Sequence, residues 1–456
     1  MKKLLLTVAA VLACFASANA QTTDPSVYTD VDGYSLKNVW IRAETTGNNP
    51  TNELLGGSSM SRGMAVKDGQ MLFTWRKSTK VSDDLTTVEH KIVVLDGATG
   101  AKVKDVVLGE EIFGDNGLGN NDIQVDNAGN VLVSTLAVSL STAGNFQVWK
   151  VNMEDGSGTH LLSNVEMAGA DDAPLRIDAF DVYGDVNGEG MIMAAISGTV
   201  SGAGDLVMRW DITGGVVNPE PTVIQIQSYY PSTVLASGTG PRVCIVDNDY
   251  FYLDGFTAAP ALYDMDGNII ESFESAPDLA PLQVGGNGVD EFSINGKNFI
   301  VYNYTNTVPS DNPQTWSVCE LGEGMTFSGM KQYFIFPAMG VGGVSNPVRT
   351  ALPRIEVKDN VATLYVYATN SGCAVYKFGK SADVDGVASM DVNALAISAT
   401  ANGVAISEAA QVEVYNFVGQ KVASAVSANF VALPAGNYIV KATTAQTSTT
   451  AKVIVK

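Results

Sequence analysis

The chain has 456 residues, 46% of them hydrophobic and only 16% charged, which supplies ample apolar material for a core and argues against disorder. Its formal net charge of −21 disfavours nucleic acid and anionic lipid as partners. Two histidines and four cysteines leave little to build a histidine-based catalytic triad or a zinc site.

The first twenty residues form an export signal. Lys2 and Lys3 precede an apolar run over 4–15, and Ala16-Ser17-Ala18-Asn19-Ala20 supplies the small-residue cleavage site. Cleavage is expected after Ala20, leaving Gln21 first and a net charge of −23 once Lys2 and Lys3 are gone. The run is too short to span a bilayer, and no other stretch of the sequence is long enough. A competing reading makes Cys14 the acylated cysteine of a lipoprotein signal, but Val11-Leu12-Ala13 before it fits that pattern poorly.

Residues 21–380 repeat themselves. Six strongly apolar segments (71–75, 131–136, 191–196, 250–253, 299–304 and 363–368) each follow a shorter strand and a turn. Third strands follow at 91–95, 146–151, 206–210, 261–263, 315–319 and 374–378. A period of roughly 50–60 residues with about four strands each is the signature of a β-propeller. The sixth repeat supplies only three strands, and the lone N-terminal strand at 36–42 has no repeat of its own. It is therefore expected to complete the last blade and abolish the open sheet edge. The sequence thus favours an all-β fold with six blades; seven remain open if 45–61 conceals a divergent strand pair. Trp149 and Trp210 recur at matching third-strand positions and are expected to pack between blades, while Tyr302 and Tyr304 should be half-buried. Trp75, Trp316, Tyr229, Tyr230 and Phe256 are further aromatics able to offer stacking faces to sugars.

Three cysteines survive signal cleavage, Cys244, Cys319 and Cys373. An odd number in apolar runs reads as small buried hydrophobes with at most one bridge. His90 and His160 are expected at solvent-facing strand edges. Three D-x-D-G segments, at 30–33, 264–267 and 383–386, lack the further ligands of a calcium loop and read as turns. No cofactor, metal site or catalytic residue is assigned.

Candidate ligand-binding residues stand at the starts of the first strands, which line the channel of a propeller: Arg62, Asp122, Arg176, Asp178, Arg242, Asp290, Glu291 and Arg354. A mixed ring of arginines and carboxylates at one mouth suits carboxylate, phosphate or sugar hydroxyls. The plainer reading is that these charges pair with each other. Alanine at Arg62 and Arg242 is expected to abolish ligand binding without changing melting.

A short polar linker, 381–389, leads to a C-terminal domain at 390–456. Its alternating runs around Val412, Val414, Tyr415, Val422, Tyr438 and Val440 read as about seven short strands, which suggests a small immunoglobulin-like β-sandwich. Gly419-Gln420 and Pro434-Ala435-Gly436-Asn437 mark its turns. The segments QVEVYNFVGQKV (411–422), LPAGNYIVKA (433–442) and AKVIVK (451–456) resemble the C-terminal sorting domain of type IX secretion. The matching residues are Tyr415, Gly419, Gln420, Pro434, Gly436, Tyr438, Lys452 and Lys456. In place of the Pro- and Asn-rich opening frequent in that family, 391–407 is Ala-rich. The resemblance implies export across the outer membrane by the type IX machinery, a secreted or cell-surface product, and clipping of the tail within 380–392. Residues 61–73, 92–100 and 121–133 also resemble uncharacterised propeller-like proteins secreted by similar bacteria. These features point to an exported binding protein for a glycan, peptide or host component. Two alternatives stand beside it: a carbohydrate-active enzyme using Asp122 with Asp290 or Glu291, and a structural surface component.

Overall fold

Each repeat folds into an antiparallel meander, because tight turns join strands of matched length. Asp68-Gly69, Asn295-Gly296 and Asp359-Asn360 are two-residue turns at equivalent places in three repeats, and all six residues take the positive φ such turns require. The computed structural model describes residues 28, 30–43, 52–57, 60–82, 85–166, 175–197, 206–227, 240–255, 258–280, 287–304, 314–341, 350–384, 397–400, 402–416, 419–444 and 448–455. The signal segment, Tyr229, Tyr230, Phe256, Lys456 and residues 385–389 of the linker lie outside them.

The chain divides into two units, Met1–Val384 and Asp385–Lys456. The first described strand of unit 1, β1 (Tyr34–Ala43), belongs to the last sheet of that unit. Sheet 1 contains β2 (Met64–Lys67), β3 (Gln70–Lys80), β4 (Thr86–Asp96) and β5 (Lys102–Val107), with α1 (Asn52–Leu55) before it. Sheet 2 contains β6 (Asp122–Val125), β7 (Val131–Ser134), β8 (Gln147–Val151) and β9 (Gly158–Ser163). Sheet 3 contains β10 (Asp181–Gly184), β11 (Gly190–Ala195), β12 (Leu206–Thr213), β13 (Val216–Val217) and β14 (Thr222–Gln225). Sheet 4 contains β15 (Arg242–Ile245), β16 (Tyr250–Gly255), β17 (Ala258–Asp264) and β18 (Ile269–Glu271). Sheet 5 contains β19 (Val289–Ile294), β20 (Lys297–Asn303), β21 (Gln314–Glu320) and β22 (Lys331–Val341). Sheet 6 joins β23 (Ala351–Lys358), β24 (Val361–Ala368) and β25 (Gly372–Lys380) to β1, and α2 (Ser381–Val384) follows.

β1 runs antiparallel to β25, with Asn38 opposite Tyr376, Trp40 opposite Val375 and a bulge between the two pairs. The N-terminal strand thus supplies the strand that the sixth repeat lacks. The segment 45–61 contributes the short helix α1 among its described residues.

Between consecutive sheets lies a separate apolar cluster. Ile92 and Val133 meet between sheets 1 and 2, Phe146 and Trp210 between 2 and 3, and Met193 and Phe251 between 3 and 4. Tyr252 and Tyr302 meet between sheets 4 and 5, Phe299 and Phe378 between 5 and 6, and Tyr367 and Phe73 between 6 and 1. The last cluster closes the series on itself. Trp40 Nε1 donates to the carbonyl of Gly97 at 2.8 Å and Arg42 to that of Gly100 at 2.8 Å, so β1 bonds sheet 6 to sheet 1 as well. First strands approach closely enough to exclude side chains. A Cβ on Gly63 would stand 2.8 Å from the Asp122 Cα and 2.9 Å from the Ile123 nitrogen, both backbone atoms. Gly63→Ala is therefore expected to cost about 1–3 kcal/mol through forced separation of sheets 1 and 2. A denaturation midpoint equal to that of the parent protein would contradict this close approach.

Several side chains sit deeper than the sequence suggests. Trp210 is fully buried against Phe146, and Trp149 is half-buried beside Phe113 and His160. Tyr302 and Tyr304 are buried rather than half-buried, and Trp75 and Trp316 are core residues with no face for a sugar. His160 is exposed, but His90 is not an edge residue: it is 5% exposed. The segment after β5 folds back over it and sets the Phe113 ring edge-on at 5.6 Å. Burial and the nearby Arg76 hold its pKa down at about 4. All three mature cysteines are free thiols; Cys319 and Cys373 are buried and Cys244 half-buried.

In unit 2, β26 (Ile397–Thr400), β27 (Gly403–Tyr415), β28 (Lys421–Ala432), β29 (Gly436–Thr443) and β30 (Ser448–Val455) form one sheet. Among the described residues these are five strands, of which only β26 is short, because β27 and β28 run on through bulges. β27 pairs with β28 along one edge and with β26 and then β29 along the other. Val404, Val412, Val414, Val440 and Ala442 form its buried core.

Candidate functional site

Alternation along the first strands decides which side chains leave the apolar interfaces. Asp122 opens β6 and is 0% exposed; it meets Arg242, the first residue of β15, at 3.1 Å. Asp122 also accepts the Phe180 N–H at 3.2 Å, so one carboxylate ties sheets 2 and 4 to the segment leading into sheet 3. Two residues further along β6, Gln124 donates to the Phe180 carbonyl at 2.7 Å and accepts from Arg354 of β23 at 3.2 Å. Neither sheets 2 and 4 nor sheets 2 and 6 are neighbours. In a closed series of sheets such side chains meet only across the middle, so these pairs form a polar hub there.

The eight candidate residues fall into three groups. Arg176 and Asp178 form a bidentate pair just ahead of β10, which raises the arginine's pKa. Arg62 lies within electrostatic reach of that pair; burial lowers its pKa, with Asp178 opposing. Arg242 and Asp122 form the sealed pair of the hub. Arg354, Asp290 and Glu291 lie inside β23 and β19 rather than ahead of them.

Two carboxylates absent from the sequence-based set complete the third group. Asp181, at the start of β10, accepts the Ile245 N–H at 2.7 Å. Asp254, near the end of β16, is 2% exposed and accepts the Gly288 N–H at 2.6 Å through one oxygen. Among the described residues its other oxygen has no hydrogen-bond partner. Burial raises Asp181 to about 6 and Asp254 and Asp290 to about 7, against the pull of Arg354, which all three share. The Asp181 charge raises Asp290 further, and that of Asp122 raises Asp181. Glu291 is raised by burial, with the adjacent Tyr252 hydroxyl opposing. Burial and the same carboxylates push the Cys244 thiol up, which leaves it an inert thiol.

The sequence carried a weak sign of these two acids: each stands alone in an otherwise apolar strand. It held nothing to say that one arginine serves both. The D-x-D-G segment at 264–267 is a turn, because the Asp264 carboxylate accepts its own Asp266 and Asn268 backbone N–H groups at 3.0 and 2.8 Å. Asp383 of the third such segment lies in α2.

The tail residues have local structural tasks. Gly419 takes φ +82, and the Asn416 side chain bridges the turn to Gln420 by two bonds. Tyr438 donates to the Pro434 carbonyl at 3.1 Å, while Gly436 lets its ring fold back. Tyr415 donates to Glu413, which also pairs with Lys421. Lys452 is an exposed residue of β30, opposite Ile439.

Fold and site define an all-β protein of many small sheets carrying a separate C-terminal module. Residues 391–456 match the family of secretion system C-terminal sorting domains. The module is the type IX sorting domain; it addresses the protein to the type IX machinery, and the product is secreted or held at the cell surface. Among the described residues no helix is long and apolar enough to cross a membrane. No curated protein matches the chain. Among solved structures, the Hadza microbial sialidase Hz136 is 10% identical with a TM-score of 0.46, covering 72% of this chain and 67% of its own. A Trypanosoma rangeli sialidase in complex with sialic acid is 8% identical with a TM-score of 0.37, covering 95% and 88%. A Penicillium chrysogenum alpha-L-arabinanase complexed with arabinobiose is 12% identical with a TM-score of 0.42, covering 70% and 93%. At this level of likeness neither a substrate nor a catalytic residue transfers to the chain.

Proposed function

We propose that the mature protein is a six-bladed β-propeller that binds a ligand outside the cell, with the tail, a small immunoglobulin-like sandwich, serving as its export address. The closed series of six sheets and six apolar interfaces supports the blade count. The ligand is a glycan, peptide or host component held by the group of Arg62, Arg176 and Asp178. The observation that carries binding over hydrolysis is the pairing of carboxylates with arginines. Asp122 is sealed against Arg242 and Asp178 is held by Arg176, so neither is left to act as acid or base. A glycan array, extended with host matrix proteins, tests the reading. The Arg176–Asp178 pair is partly exposed, and its removal costs little stability, about 0–1 kcal/mol. Arg176→Ala should therefore weaken binding at least tenfold while the melting temperature holds. Unchanged binding by this variant overturns the site.

The second reading, a carbohydrate-active enzyme, is favoured by one pair alone. Burial raises both Asp181 and Asp290, and the Asp181 charge raises Asp290 further, which holds Asp290 protonated near neutrality as a general acid requires. Release of reducing sugar from a bound glycan, lost in Asp290→Asn, would favour it over simple binding.

A further inference from the structure

β28 of the sorting domain is built inside out. Its small residues Ala423, Ala425 and Ala428 turn toward the core, while the larger Val422, Val426 and Phe430 stand in solvent, Val426 at 81% exposure. Among the described residues of unit 2 these three are the exposed large apolar side chains, and one strand carries all of them. A core-packing role does not account for them. The strand is also an edge: among the described residues β28 pairs with β27 alone, and no described strand lies along its other side. Proteins normally blunt such an edge with charge, proline or brevity. β28 is 12 residues long, contains no proline, and has one charged residue, Lys421 at its start; Ser427 at φ +52 and three register shifts against β27 make it irregular without shortening it.

We infer that the free edge of β28 is the docking surface through which the sorting domain is recognised, and that its occupant is an uncharged, apolar strand of the type IX machinery. The sorting match means that some protein of that machinery must grip this module. An open edge supplies a row of backbone donors and acceptors that an incoming strand pairs with, and the valine and phenylalanine side chains supply apolar surface on the sheet it extends. The scarcity of charge along β28 selects an apolar partner strand over a basic or acidic one. This inference rests on the sorting function of the tail and names the surface that performs it.

The test uses the full chain in its own organism, with surface, medium and periplasmic fractions compared by immunoblot. Val422→Lys combined with Val426→Lys places two charges on the edge without touching the core. The exported fraction should fall at least tenfold, with the protein accumulating in the periplasm, while the purified variant melts as the parent does. Val426→Ile, which keeps the apolar surface, should export normally. Normal export of the double lysine variant overturns the proposal. So does a parent protein that sediments as a dimer and becomes monomeric in the lysine variant with export intact, because the edge then pairs two copies. A chain lacking 391–456 is the companion control. Its continued export would bring down the sorting function itself, whereas failed export of the deletion with normal export of the lysine variant condemns only the edge.

Discussion

Arg242→Ala should destabilise unit 1 by about 3–5 kcal/mol, the cost of leaving a buried charge without its partner. The side chains are 8% and 0% exposed, and the lone Asp122 carboxylate would face no water. It would retain the Phe180 N–H as a donor, which tempers the loss without cancelling it. Replacing both charges tells desolvation apart from simple loss of contact. Asp122→Asn with Arg242→Leu keeps an acceptor for Phe180 and removes both charges, and should recover more than half of the loss. Denaturant midpoints of the parent, the single variants Asp122→Asn and Arg242→Leu, and the double variant measure the coupling directly. A single-variant loss under 1 kcal/mol would mean that the pair is solvated and that the hub is open to water. The expected loss of about 3–5 kcal/mol also revises the expectation that truncating Arg242 leaves melting unchanged: a ligand-binding test at this position is confounded by stability, which is why Arg176 is the better probe.

The second large effect is a stability that falls as pH rises from about 5 to about 7. Asp254 and Asp290 titrate near 7 in the folded protein and Asp181 near 6, against an ordinary 3.8. Between those limits the native state keeps protons that the unfolded chain has released. Each group therefore removes up to about 1.4 kcal/mol of stability per pH unit through that window, and none above it. His90 works in the opposite sense. Its folded pKa of about 4 lies below the usual 6.5, so its contribution is lost as pH falls from 6.5 toward 4. Three carboxyls outweigh one imidazole, and they share Arg354, so their effects add less than fully. The surface carboxylates Asp30, Asp96, Asp155 and Asp264 have lowered pKa values and matter only at lower pH. The melting temperature should accordingly drop by on the order of 5 °C between pH 5 and pH 8. Asp254→Asn, a neutral isostere at every pH, should flatten the slope. A melting temperature that climbs across this range would show the three acids to be ionised in the folded state.

Such a pH response bears on where the protein works. A product destined for the outside of the cell meets variable acidity, and a centre that stores protons is most stable on the acidic side. Arg176→Ala and Asp254→Asn, measured side by side, separate ligand binding from the pH dependence of stability.

What the amino-acid sequence determined by itself is what nearest neighbours encode. Alternating apolar residues and Asp-Gly or Asn-Gly pairs specify strands and turns locally, so the repeats of 64–380 are visible without coordinates. The unmatched strand at 36–42 announced the closing partner of β25, because a three-stranded repeat beside a lone strand leaves two open edges that only each other can cover. The sorting motifs are equally local, since Asn416, Gly419 and Gln420 make their turn among themselves. Tertiary structure alone decided the rest. Asp122 and Arg242 are 120 positions apart and meet because sheets 2 and 4 face each other across the middle. Asp254 becomes a proton store, His90 a buried ring and β28 an inverted strand for a common reason. Desolvation depends on what packs above a side chain, and that covering comes from segments distant in the chain or, for Val426, does not come from this chain's described residues at all.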